Sequence, residues 1–223
     1  AITGVTAANK TYDRSVIAAL SGGAIAPLAG DAVTLVTSGR SGVFGDWNVG
    51  TAKPVTASGY ALAGADAGNY AIVQPNGLTA DIVPMYLAVI GVTAANKVYD
   101  RSTAATLSGG TLYPYAGDTV TLDTSAAAGV FADKNVGTGK TVTSSGYALA
   151  GADAGNYVIV QPYVQVADIT QLTLNLTGVT AADKVYDQGV GATLAGGTIA
   201  PITGDDVSLV TAARSGSFAD KNV

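Results

Sequence analysis

Apolar and polar residues alternate with a period of two in short runs along most of this chain. Val33-Thr34-Leu35-Val36-Thr37 is one run, Lys53-Pro54-Val55-Thr56-Ala57 a second and Tyr70-Ala71-Ile72-Val73-Gln74 a third. Leu172-Thr173-Leu174-Asn175-Leu176-Thr177 puts leucines on one face and polar residues on the other. Side chains of a strand point alternately to opposite faces, so each run predicts a strand with one face buried. Gly22-Gly23, Gly30-Asp31, Ser58-Gly59 and Asn76-Gly77 separate the runs and predict turns. About seven to nine strands per unit is the size of a small β-sandwich. The expected fold is all-β, built from sandwich-like modules set end to end, with β-grasp-like modules as the alternative. The one helical candidate, Leu62 to Ala67, is flanked by glycine and allows a single turn at best.

The pattern recurs without a gap. Gly4, Gly91 and Gly178 open three copies, and Lys10-Thr11-Tyr12-Asp13, Lys97-Val98-Tyr99-Asp100 and Lys184-Val185-Tyr186-Asp187 follow at one spacing. Leu62 to Tyr70 returns letter for letter as Leu149 to Tyr157. The expected modules are residues 1–86 and 87–173, with a shortened third at 174–223. No flexible linker separates them, because Ala80 to Met85 runs straight into Leu87 to Ile90. Neighbouring modules are therefore expected to sit in line with little freedom, as in a rod, each supplementing its neighbour's modest core. The third copy stops past its middle, either cut there or completed by strands from another chain. Left alone it exposes open edges, so poor order is expected near Val223.

Composition agrees with strands and removes several functions. All sixteen acidic residues are aspartate, so glutamate, a strong helix former, is absent, while 48% of the 223 residues are hydrophobic. A net charge of −5 and a pI near 4.4 lack the basic footprint that nucleic acid or anionic lipid requires. The longest apolar run, Met85 to Ile90, is too short to insert in a membrane as a spanning helix, and no signal peptide opens the chain, as expected of an excerpt or a mature form. Cysteine and histidine are both missing, which removes thiolate metal sites, disulfides and the commonest general base.

Asn96-Lys97-Val98-Tyr99-Asp100, a Gly-Asp turn, Phe131-Ala132-Asp133-Lys134-Asn135-Val136-Gly137 and Gly151-Ala152-Asp153-Ala154-Gly155-Asn156-Tyr157 stand in fixed order. This signature resembles the YDG-type repeat of large bacterial surface adhesins, including filamentous-haemagglutinin-like exoproteins, over the whole chain. Arg14, Arg101 and Gln188 depart from it, standing where the family usually has glycine. The resemblance implies a secreted, β-rich spacer on the bacterial cell surface, strung in arrays, with no catalytic activity to carry over. Its partners would be neighbouring repeats and other copies in a fibre.

Candidate chemistry is thin. Gly137-Thr138-Gly139-Lys140-Thr141 looks like a phosphate loop, but its leading glycine would fall at Lys134 and no helix is predicted after it. The plentiful aspartates could pair for hydrolysis or bind calcium weakly, yet most read as turn residues bonding their own backbone, and no cofactor is expected. A sharper idea is an amide crosslink between Lys10 and Asn69, promoted by Asp46 or Asp66. Its second-copy counterpart joins Lys97 to Asn156 with Asp133 or Asp153 as helper, needing a buried neutral lysine and a protonated acid. The plainer reading pairs Lys10 with Asp13. Tyr12, Phe44, Tyr60 and Tyr70 recur as core aromatics, whereas Trp47, Tyr113 and Tyr115 do not recur and are the candidates for surface contacts to sugar or protein. Asn9-Lys10-Thr11 and Asn175-Leu176-Thr177 match a glycosylation pattern that is common by chance. Two functions follow: a structural stalk or fibre spacer, and an adhesive module binding glycans or host proteins.

Overall fold

A computed structural model describes residues 1–222; Val223, where poor order is expected, lies outside the described residues. The protein is all-β. The first copy holds β1 (Thr3–Ala7), β2 (Lys10–Thr11), β3 (Ile17–Ala18), β4 (Leu20–Ala24), β5 (Thr34–Val36), β6 (Ser41–Phe44), β7 (Gly50–Ser58), β8 (Ala61–Ala63) and β9 (Leu78–Val83). The second holds β10 (Met85–Ala88), β11 (Ile90–Ala94), β12 (Lys97–Val98), β13 (Ala104–Ala105), β14 (Leu107–Thr111), β15 (Thr121–Asp123), β16 (Ala128–Phe131), β17 (Gly137–Ser145), β18 (Ala148–Ala150), β19 (Tyr157–Val160) and β20 (Gln165–Thr170). The third supplies β21 (Thr177–Ala181), β22 (Gly191–Ala192), β23 (Leu194–Thr198) and β24 (Gly216–Ser217).

Each full copy builds the same five-stranded sheet, in the order β2-β9-β7-β6-β3 and then β12-β20-β17-β16-β13. Strict alternation decides its buried face. In the first copy Phe44, Val55, Ala57, Ala80 and Ile82 all turn inward and meet Leu20 of β4 and the partly buried Val5 of β1. The β1–β4 pair is thus the second layer over this core. In β4, Gly22 and Gly23 do not form the predicted turn; they lie within the strand at positive φ. A Cβ at Gly22 would stand 2.1 Å from the Gly4 carbonyl oxygen, so only glycine admits this approach of the two strands. The predicted helical turn is displaced as well: Leu62 and Ala63 end β8, and a three-residue 3-10 turn occupies Ala67–Asn69.

Two compact units result, and they do not follow the sequence period. The first contains residues 1–93, 107–128 and 144–164, so it unites the first copy with much of the second; the other contains 94–106, 129–143 and 165–223. The first unit joins its two copies through Tyr12 of one copy and Leu87 and Tyr157 of the next, all in one buried cluster. The second unit has its own core in Phe131, Val142, Ala167 and Ile169. Among the described residues, no helix is long and apolar enough to cross a membrane.

Two predicted strands are missing for one reason. Residues 70–74 form no ladder, although the matching Tyr157–Val160 is β19 and pairs in parallel with β10. Residues 172–176, which match β10, are likewise unpaired. A lone strand leaves its backbone donors and acceptors without a ladder, so the alternating pattern forms a strand only where a partner lies alongside.

Candidate functional site at the joint between successive repeats

The Lys-x-Tyr-Asp segment is folded into a rigid bend. The Lys10 ammonium pairs with Asp13 at 2.6 Å and donates to the Ser15 carbonyl and hydroxyl oxygens at 2.9 and 2.8 Å, while the Ser15 N–H donates to Asp13. Lys97 with Asp100 and Ser102, and Lys184 with Asp187, repeat the clasp. Hydrogen bonds from the Lys97 ammonium and the Ser102 N–H hold Asp100 down to about 2. The bend ends at Arg14, whose φ of 60° places a non-glycine residue in the left-handed region. Arg101 and Gln188 adopt the same conformation.

This bend plugs into the following copy. The Tyr12 hydroxyl donates to Asp118 Oδ2 at 2.8 Å, and Arg14 Nε pairs with Asp118 Oδ1 at 2.8 Å. The Arg14 guanidinium also donates to the carbonyl oxygens of Ala116 and Gly117, a fork of donors matched to one turn. Tyr157 donates its hydroxyl to the same Asp118 Oδ2 at 2.6 Å and accepts the Tyr115 N–H at 2.9 Å. Asp118 has a side chain only 1% exposed, and its charge is met by one cation and two hydroxyls. Tyr12 packs edge-on against Tyr115 and Tyr157, with centroids 6.0 and 5.4 Å apart. A second contact lies beside it: buried Asn156 accepts the Val49 N–H at 2.9 Å and donates to Asn48 Oδ1 at 3.2 Å.

The same joint forms between copies two and three. Tyr99 donates to Asp205 at 2.9 Å, Arg101 pairs with Asp205 at 3.2 Å, and the Arg101 guanidinium donates to the Thr203 carbonyl oxygen. In the first copy the equivalent turn carries the same tyrosine bond. Tyr70 donates to Asp31 at 2.5 Å and accepts the Leu28 N–H.

Burial, and then the bond to Asp118, raises the Tyr12 phenol and pushes Tyr157 up to about 12 from its ordinary 10.0. The folded state therefore keeps protons that the unfolded chain releases. The stability from this linkage is whole below the unfolded pKa and is lost as pH rises through the folded one. Urea melts are expected to show stability falling between pH about 10 and about 12, with a shallower fall in Tyr157→Phe. An equal slope in the variant would contradict this assignment.

The structure does not unite the proposed crosslink partners. Lys10 and Lys97 are held in their own bends, and Asn69 is exposed on the 3-10 turn, while Asn156 bonds Asn48 and Val49. Asp46 and Asp133 pair with Lys53 and Lys140, and Asp66 and Asp153 accept the N–H of Ala32 and Thr119. The phosphate-loop look-alike lies in β17. No group of three or more acidic side chains placed to hold a metal occurs among the described residues. Trp47 lies 6.0 Å from the Arg14 guanidinium and Tyr115 touches Tyr12, so both border the joint, whereas Tyr113 is 70% exposed. Sequence reading singled out those two aromatics but missed Arg14, Asp118 and Tyr157; an arginine in the place of a turn glycine was the available signal.

Comparison with curated proteins and with solved structures finds no match. The YDG domain family matches residues 1–77, 83–165 and 170–223, one segment for each copy. With those three matches spanning nearly all of its length, the chain belongs to the YDG domain family.

Proposed function

We propose that this chain is a structural segment, a stalk or fibre spacer, of an extracellular adhesin or filament on a bacterial cell surface. The observation that carries the reading is the recurring joint: Tyr12 and Arg14 grip Asp118, and Tyr99 and Arg101 grip Asp205, by the same chemistry. A protein that uses a buried charge to fasten one repeat to the next is specialised for continuity. Its partners are its own neighbouring repeats and other copies in a fibre, and it runs no reaction. Trp47 and Tyr115, the aromatics best suited to gripping a glycan or host protein, are engaged with Arg14 and Tyr12, which favours the spacer over the adhesive module.

Small-angle scattering from arrays of two, four and six repeats tests the reading. The maximum dimension is expected to grow in proportion to repeat number, with Asp118→Ala and its equivalents loosening the array. Growth only as the cube root of mass would end it.

A further inference from the structure

The turn dipeptide Asn76-Gly77 is framed by the fold but not gripped by it. Residues 74–77 form no ladder, and the matching residues 161–164 form none either. Both ends of the segment are anchored: the Gln74 side chain accepts the Tyr60 N–H at 3.1 Å and donates to the Tyr60 carbonyl oxygen at 2.9 Å, and Leu78 opens β9 opposite Val55. Between the anchors Asn76 and Gly77 are exposed. Gly77 has a φ of 68°, and a Cβ there would meet nothing within 4 Å. This exposure belongs to the fold of the repeat. In the second copy, where β10 and β19 pair just before the turn, Tyr163 stands in the place of Asn76 and is 84% exposed. Every other asparagine of the chain is followed by lysine, valine, tyrosine or leucine, or by the bonds of a buried site, as Asn156 is. Asn9 is held in addition by Asp81.

We infer that Asn76-Gly77 is a self-modification site, at which the asparagine converts to aspartate and isoaspartate with water as the co-reactant. The Gly77 nitrogen gives its proton to a solvent base and attacks Asn76 Cγ. The N–Cγ bond forms, the Cγ–Nδ2 bond breaks, and Nδ2 leaves as ammonia with a proton taken from water. Water then opens the cyclic imide at either carbonyl. Opening at Cγ restores the native backbone as aspartate; opening at the Asn76 main-chain carbonyl leaves the backbone running through the side chain as isoaspartate. No electrons are transferred. A side chain on residue 77 would crowd the attack, so glycine opens the route, and exposure admits both base and water. Isoaspartate lengthens the backbone by one atom in a segment pinned at Gln74 and Leu78, so the start of β9 takes up the excess. Of the two full copies only the first is marked, because the second has Tyr163-Val164 in the same place.

Peptide mapping of the incubated 223-residue chain by mass spectrometry provides the test, since the reaction exchanges NH2 for OH and isoaspartate separates from aspartate on chromatography. The amide at Asn76 is expected to be lost at least about tenfold faster than that of Asn175, which is also exposed but precedes leucine, and the rate to rise about tenfold per pH unit near neutrality, as the share of deprotonated nitrogen does. The same measurement in urea gives the rate of the unfolded segment, and the native rate is expected to lie within about tenfold of it. A rate at Asn76 no faster than at Asn175, a rate that ignores pH, or a native rate further below the unfolded one each overturns the inference. Hydrogen exchange reads the consequence: amides at Leu78 and Thr79 are expected to exchange faster in the isoaspartate form than in Asn76→Asp, which carries the same charge on an unaltered backbone. Equal exchange overturns the effect on β9. Both results are independent of the scattering test, since a spacer can exist with or without this mark.

Discussion

Asp118→Ala is expected to lower the unfolding free energy by about 3–5 kcal/mol, the range for breaking a buried charge pair from one side. The carboxylate gathers the Arg14 guanidinium and the hydroxyls of Tyr12 and Tyr157 at one point in the interior. Its removal strands a buried tyrosine hydroxyl and leaves the Arg14 Nε without its charged partner. Asp31→Ala is the matched control. That aspartate accepts from Tyr70 but holds no arginine, and its loss is expected to cost about 1 kcal/mol, the usual worth of one hydrogen bond. Chemical denaturation of both variants makes the comparison, and equal losses would show that the joint adds nothing to the local turn.

The second large effect separates three copies of one phenylalanine. Phe44 and Phe131 are 2% and 1% exposed, while Phe218 is 38% exposed. Phe44 of β6 stands opposite Val55 of β7. Truncation to alanine at Phe44 or Phe131 is expected to cost about 3–5 kcal/mol through lost transfer energy and a cavity. At Phe218 the neighbourhood is already open to water, and a loss of about 1 kcal/mol or less is expected. Thermal melts of the three variants decide it; three equal shifts would mean that Phe218 is covered in solution.

Legibility in the sequence followed the distance between partners. Thr34–Val36 and Gly50–Ser58 were readable because alternation reports a buried face and their ladders close within one copy. Residues 70–74 and 172–176 carry the same alternation but form no ladder, and alternation alone cannot say whether a partner strand lies alongside. Gly22 and Gly23 misled because glycine marks a close crossing of strands as well as a turn. The joint was hidden for a further reason: Tyr12 and Asp118 belong to different copies, so no spacing within one repeat relates them. Each half reads alone as local turn chemistry, and only the unusual Arg14 hints at a long reach.

Because every grip points from an earlier bend to a later turn, the tandem series has a direction. Genetic gain or loss of whole 87-residue units regenerates every fastening, whereas a break within a unit spoils one, so such a series can change its reach across generations without redesigning a single contact.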